Sequence, residues 1–506
     1  MTTGNHNLAA LADDALERHG DRESLYYEGD WFRSAALHDR AMRVSRGLVE
    51  LGVEPGDRVS VVMANCPEVG ISYQAVWRAG GVTNPIIFLL PPHELAHIFR
   101  DAEVRAVITT PEFVPNVQAA IKQIDLDPVV ICVGEAPEGV VPYSQLEDSE
   151  PGELVPREDT ALATLMYTGG TTGRAKGVPL THDNLWFCGA QAEEVTRLED
   201  DQPSNTLVPL PLSHAYGQIV TVIGMHAKTP GTAALMRWFD PSGSLQLIED
   251  LRLNRATVVP SMLQLWLGQG LEERDLESLR YVSCGASPLS IDVAEEFMRL
   301  VPSAEILEGY GCTESAGVIS ANAPGEARLG SVGRPLPGYD VRIRDEDGND
   351  LPVGEAAEIV VRSRGCASEY WNAPEDSSST FRDGWLHTGD VGRFDEDGFL
   401  YVVDRMKDLI IRNGFNVYPR DVEDALLDQP GVALAGVVGR PDAEVGEEIV
   451  AFVSPAAGFE LDPEQLQAAA RERLGPYKYP REVKIVEQVP LTPVMKIDRK
   501  ALRAML

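Results

Sequence analysis

The chain is poor in cysteine, poorer still in lysine, and has no long apolar run. Its six cysteines, Cys66, Cys132, Cys188, Cys284, Cys312 and Cys366, stand singly along 506 residues. They offer neither a disulfide framework nor a paired-thiolate zinc site, so a reducing, cytoplasmic setting is expected. The apolar run Ile86 to Leu90 falls far short of the ~20 residues a membrane span needs. Met1 to Asp30 carries acidic residues and no uninterrupted apolar stretch, so neither a signal peptide nor a span is expected there, nor any integral membrane contact. Only 8 of the 44 basic residues are lysine, and 78 acidic residues outweigh them for a net charge of −34. Such a field repels nucleic acid and anionic membrane, which excludes both as natural partners. It also repels any polyanionic ligand, so a site for one must build its own local positive field. The few lysines therefore become informative. Internal repeats and low-complexity tracts are absent too.

What is present is enough for a large globular protein. The length exceeds a single core, and 44% hydrophobic composition can fill two or more. From Asp21 to about Ser320, short apolar runs alternate with amphipathic stretches in the manner of βαβ units: Arg58 to Met63, Ala106 to Thr109, Val129 to Val133, Thr257 to Pro260 and Arg280 to Ser283. Helix starts are signalled by Thr181 and Ser290. The expectation is an α/β chain of doubly wound sheets, with ligands at the carboxyl ends of strands. From Tyr339 the texture changes to strand pairs joined by acidic Gly turns, Asp345 to Gly348 and Asp395 to Gly398, which predicts a small β-rich subdomain over about 330–403. Beyond it, helices over Asp421 to Leu427 and Pro463 to Leu474 mix with strands over Ala433 to Val438, Ile449 to Val453 and Val483 to Val486. Residues 404–506 are expected to form a small α+β domain, and 1–403 the large one.

One loop carries clear chemistry. After the apolar run Ala161 to Met166 come Tyr167, Thr168, Gly169, Gly170, Thr171, Thr172, Gly173, Arg174, Ala175, Lys176 and Gly177. Glycines let main-chain N–H groups approach oxyanions, threonine hydroxyls donate further bonds, and Lys176 adds a point charge. This is the composition of a phosphate cradle; the bland alternative is a flexible surface loop. A Walker P-loop requires Gly-Lys-Ser/Thr, whereas Lys176 lies between Ala175 and Gly177. Six further segments follow: Pro209 to Gly217 around His214 and Tyr216; Cys284 to Leu289 with Gly285, Ala286 and Ser287; and Glu308, Gly309, Tyr310, Gly311, Cys312, Thr313, Glu314. Then come His387 to Asp390, the stretch from Asp404, Arg405 and Lys407 through Asn413 and Gly414 to Pro419, and Pro490 to Lys500 with Lys496.

In that order the segments resemble the adenylate-forming superfamily of acyl- and aryl-CoA synthetases, peptide-synthetase adenylation domains and beetle luciferases, over about two thirds of the chain. The resemblance implies an ATP- and Mg²⁺-dependent acyl-CoA synthetase that joins a carboxylic acid to coenzyme A through an acyl-AMP. The implied catalytic residues are Lys496, Thr313, Glu314 and His214. Thr168 to Gly173 and Lys176 would bind phosphate, and Gly285, Ala286, Ser287 and Glu308 to Gly311, with the ring of Tyr310, would line adenine. Asp390 would accept the ribose hydroxyls, with Arg405 and Gly414 also at the nucleotide or CoA. Glu314 would hold Mg²⁺, and His214, Tyr216, Gly285 and Gly311 would line the acid pocket. Lys407 would be the hinge about which the 404–506 domain turns. The Gly169-Gly170 pair is similar to that of fatty-acid ligases and points to a medium- or long-chain acid. An aryl acid and a carrier-protein-loading enzyme are the neighbouring alternatives, and a non-catalytic nucleotide sensor the alternative from another class. A homodimer is one assembly the resemblance admits. Met495 departs from the pattern, which often has glycine before the lysine.

Some features read as incidental. His93, Glu94 and His97 satisfy a helical zinc spacing without an evident third ligand. His182 is expected to cap a helix or face solvent, and Asp421 to Asp424 to be a solvated helix start. The acidic excess resembles that of proteins from extreme halophiles, where hydrated carboxylates keep a chain soluble and salt screens their repulsion, so a salt requirement is expected.

Overall fold

The computed structural model describes residues 4–168, 175–198, 202–413, 415–442, 444–456, 458–474, 477–492 and 495–506. Two mostly parallel sheets form the body of the chain. Among the described residues one has seven strands, ordered Val141–Pro142, Val129–Cys132, Val104–Thr109, Arg58–Val62, Val82–Pro85, Leu162–Thr168 and Lys176–Thr181. The other has nine, and its parallel centre runs Glu305–Tyr310, Tyr281–Cys284, Arg255–Val258, Thr206–Val208, Ala233–Leu235, Glu23–Tyr27. Strands such as Val104–Thr109 are buried at all but one position, as elements covered on both faces must be. Helix His182–Thr196 begins at Thr181, whose hydroxyl accepts from the Asn184 N–H while the Asn184 side chain accepts from the Thr181 N–H, a reciprocal cap. Helix Ile291–Leu300 follows Ser290 and buries Ala294 and Phe297 against the second sheet's core.

The β-rich part is a five-stranded sheet of Asp340–Arg344, Ala357–Arg362, Trp385–Phe394, Phe381–Arg382 and Leu400–Arg405. Its acidic turns close at Gly348 and Gly398, both with left-handed backbone (φ 84° and 80°) that a glycine adopts without strain. The last strand pairs through Arg405 opposite Asp390. The expected boundary between 403 and 404 thus falls inside a strand, because the ladder continues until the 3₁₀ turn Met406–Asp408 breaks it. Beyond lies a second five-stranded sheet, of Phe415–Val417, Ile410–Arg412, Gly446–Pro455, Val432–Asp442 and Glu482–Ile485, packed with helices Pro419–Leu427 and Pro463–Leu474 around Val422, Leu426, Val437 and Ala451. No described helix is long and apolar enough to cross a membrane.

Specific polar contacts dock this C-terminal part on the large one. Arg420 donates to the carbonyls of Leu289 (2.8 Å) and Val402 (2.9 Å), and Ser261 Oγ donates to the Met495 carbonyl (2.5 Å). The stretch Asp421 to Asp424 is not the solvated helix start expected. Asp421 pairs with Lys478, Glu423 accepts two bonds from Arg499 (2.7 and 2.8 Å), and Asp424 lies 3.6 Å from Arg420. Burial pushes the carboxyls of Glu423 and Asp424 up to about 7 and about 6, against the pull of those arginines. A helical wheel shows one polar face but not what covers it.

Candidate active site

The carboxyl ends of the second sheet's strands open into a cavity of about 1990 Å³, walled by both domains. Strand Glu305–Tyr310 delivers Glu308, Gly309 and Tyr310 to its wall, followed by Gly311 and the 3₁₀ turn Thr313–Ser315. Gly311 is required by space, since a Cβ there would run into the Gly317 carbonyl. Strand Tyr281–Cys284 delivers Gly285, Ala286 and Ser287, with Ala286 in the left-handed region at φ 71°. Strand Leu162–Thr168 brings Thr168, and its antiparallel partner Lys176–Thr181 brings Lys176. Gly169, Gly170, Thr171, Thr172, Gly173 and Gly414 lie outside the described residues.

Asp390 is the electrostatic centre of one wall. It is 3% exposed, accepts from the Tyr310 hydroxyl (2.7 Å), and stands 3.0 Å from Arg405 Nε. That carboxylate in turn raises the Arg405 guanidinium above its ordinary range. Lys496, half-buried in the C-terminal part, faces the same wall: burial and Arg405 push its ammonium down to about 8, with Asp390 opposing. Its loop is tightly turned, with the Thr492 N–H bonded to the Lys496 carbonyl (2.7 Å), and Met495 sits at φ 60°, a conformation that glycine favours. Lys407 lies in the 3₁₀ turn just after Arg405 and also borders the cavity.

Glu314 accepts from the Tyr370 hydroxyl (2.7 Å), and the Tyr370 ring lies 5.0 Å from Lys176 Nζ. Lys176 itself pairs with Asp376 (2.5 Å), so its charge is held by a carboxylate and a ring in this structure. Tyr370 and Asp376 escaped the sequence reading because they belong to no motif and are placed by the Trp371 N–H to Gly177 carbonyl bond, which joins distant stretches of the large domain (2.7 Å). Glu314, Thr168 and Thr313 all border the cavity, and their oxygens are donors of the kind a hard cation takes. Among the described residues no group of three His, Cys, Asp or Glu side chains is placed to hold a metal ion.

His214 lines the cavity but is engaged as a cap, its Nδ1 accepting from the Tyr216 N–H (3.2 Å) ahead of helix Ala215–His226. Burial and the Lys496 charge push it down to about 3. At neutral pH it is therefore an uncharged imidazole on the cavity wall, with Nδ1 engaged by the cap. Tyr216 lines the cavity and donates to the Ser283 carbonyl (3.2 Å). Glu308 is 7% exposed, accepts from the Gly330 N–H (2.9 Å), and is pushed up to about 7 by burial, so it braces the Gly330 loop. His182 neither caps nor faces solvent. It is fully buried and accepts from the Leu8 N–H (3.2 Å), tying down the N-terminal helix Leu8–His19. Of the zinc-like pair, His97 bonds the Ala175 carbonyl (3.1 Å) and His93 is exposed.

The AMP-binding enzyme pattern matches residues 12–371, and the AMP-binding enzyme C-terminal domain matches 421–496. The chain is 34% identical to a long-chain-fatty-acid–CoA ligase of Bacillus subtilis (98% of this chain, 94% of that one). It is 36% identical to a feruloyl-CoA synthase of Amycolatopsis sp. (96% and 94%). Among solved structures, an anthranilate CoA ligase, AuaEII, in complex with anthranoyl-AMP superposes with a TM-score of 0.92 at 25% identity (99% and 97% covered). ATP-bound MatB from Rhodopseudomonas palustris gives 0.89 at 32% identity (99% and 99%).

Proposed function

The chain belongs to the AMP-binding enzyme family, and from that premise we propose that it is an acyl-CoA synthetase, converting a carboxylic acid, ATP and CoA to acyl-CoA, AMP and pyrophosphate. The observation that carries this reading is the convergence of Lys496, from the small domain, with Asp390, Thr313 and Glu314 of the large one on a single cavity. A carboxylate oxygen attacks the α-phosphorus of ATP, the bond from that phosphorus to the bridging oxygen breaks, and pyrophosphate leaves. Both reactants are anions, so the barrier is chiefly electrostatic. Lys496 places a cation where charge accumulates, and the Thr313 hydroxyl donates to the α-phosphate. Mg²⁺, held by Glu314 and phosphate oxygens, would supply further charge neutralisation. Asp390 accepts the ribose hydroxyls and Tyr310 presents its ring to adenine. The CoA thiolate then attacks the acyl carbonyl, forming the C–S bond and releasing AMP. The half-reactions need different groups, so the domain beyond Arg405 is proposed to turn about Lys407, withdrawing Lys496.

The acid is proposed to be a medium- or long-chain one, in keeping with the Bacillus relative. The protein is further proposed to work as a salt-requiring cytoplasmic enzyme, in keeping with its net charge of −34. The test is pyrophosphate release in high salt across a panel of acids, with and without CoA. CoA-dependent thioester formation with one class of acid is expected. Release without CoA consumption would favour carrier loading, and no release with any acid would favour a nucleotide sensor.

A further inference from the structure

The cavity does not end at the reacting groups. It continues beneath helix Ala215–His226 along one face of the second sheet, over Val208, Leu235, Thr257 and Ser283, to Arg255 at the opposite, amino-terminal end of strand Arg255–Val258. Strand register puts Arg255 level with Tyr281 and Glu305, four residues before Gly309 at the reaction end. That is a run of roughly 13 Å at the usual strand rise. The roof leaves room, since a Cβ on Gly224 would meet nothing within 4 Å. The chamber is thus long enough for an extended chain with its carboxylate at the sheet's carboxyl end.

Its far end is polar in an unusual way. Arg255 is 8% exposed, and among the described residues only its Nη2 bond to the Thr196 carbonyl (2.5 Å) uses the guanidinium's donors, while Nε is buried without a partner there. Among the described residues no carboxylate forms an ion pair with it; the nearby buried Glu193 is turned to the Lys228 N–H and Arg197. Burial pushes the guanidinium down to about 10, which still leaves it cationic at neutral pH. The Tyr281 ring lies 6.0 Å from the guanidinium, but a buried cation with donors left over is still costly, and a further acceptor would offset that cost. In a molecule this acidic, a chamber for a plain alkyl tail would sooner end in apolar side chains.

We propose that Arg255 is a specificity-determining residue that binds an oxygen acceptor at the distal end of the acid, so that the substrate is an ω-oxygenated acid, hydroxylated or dicarboxylic, of medium length. The inference rests on the acid-activating reading of the same cavity. Incoming oxygen would take the remaining Nη–H bonds, a charge-assisted contact absent from a methyl-terminated chain.

The test compares pyrophosphate release with ATP and CoA for acids matched in length, ending in methyl, hydroxyl or a second carboxylate. Oxygen-terminated acids are expected to exceed the methyl-terminated one in kcat/KM by about 10- to 100-fold, with hydroxyl against carboxylate distinguishing the two sources of oxygen. Arg255→Leu should bring that ratio near one, and Arg255→Lys should retain part of it. An equal or better methyl-terminated substrate in the unmodified protein overturns the inference alone, and does so even if Arg255→Leu fails to fold. No release with any acid overturns the adenylation reading and this inference with it.

Discussion

Lys496 is where burial becomes rate. A lysine depressed to about 8 is charged below that pH and loses its charge as pH rises through it. If the cation stabilises the pentacoordinate phosphorus, kcat/KM for acyl-AMP formation should fall about tenfold per unit above pH ~8. Lys496→Arg, which cannot deprotonate, should remove that limb from pyrophosphate-release rates. Lys496→Ala should stop adenylation yet spare thioester formation from preformed acyl-AMP; equal loss of both steps would remove its assigned role. Tyr370→Phe, which deletes the hydroxyl donated to Glu314, should raise the Mg²⁺ concentration for half-maximal rate several-fold. At this scale the sequence announced residues set in motifs, Asp390 and Lys496 among them. It was silent on Tyr370, Asp376 and Arg255, whose importance comes from neighbours far along the chain. It also could not say that His214 is spent as a helix cap.

Among the elements, local signals carried far. Thr181 and Asn184 satisfy each other's backbone, and Thr181→Ala should cost about 1 kcal/mol in urea-unfolding free energy. Helix Ile291–Leu300 and helix Pro463–Leu474 start and stop where Ser290, Pro463 and the apolar spacing place them. The strand Leu400–Arg405 runs past the expected domain boundary at 403/404 because its length is fixed by the partner Trp385–Phe394, a long-range pairing without a local mark. The buried partners of Asp421 to Asp424 have the same origin. If the turn Met406–Asp408 is the pivot, Lys407→Pro, which fixes φ, should slow thioester formation far more than pyrophosphate release. Equal slowing of both would place the pivot elsewhere.

At the scale of the molecule, charge dominates. With 78 acidic residues against 44 basic ones, self-repulsion acts across about 10 Å in 0.1 M salt and about 3 Å in 1 M. Melting temperature and specific activity should both rise between these concentrations, and flat profiles would refute the salt requirement. If Asp390 binds ribose and the C-terminal domain swings as proposed, this carboxylate has a role larger than recognition. One carboxylate is gripped by Tyr310 in the large domain and by Arg405 at the threshold of the swinging part. A nucleotide claiming it must renegotiate both grips, so occupancy and swing share one equilibrium. By reciprocity, whatever factor AMP applies to the closed orientation must reappear as that orientation's gain in affinity for AMP.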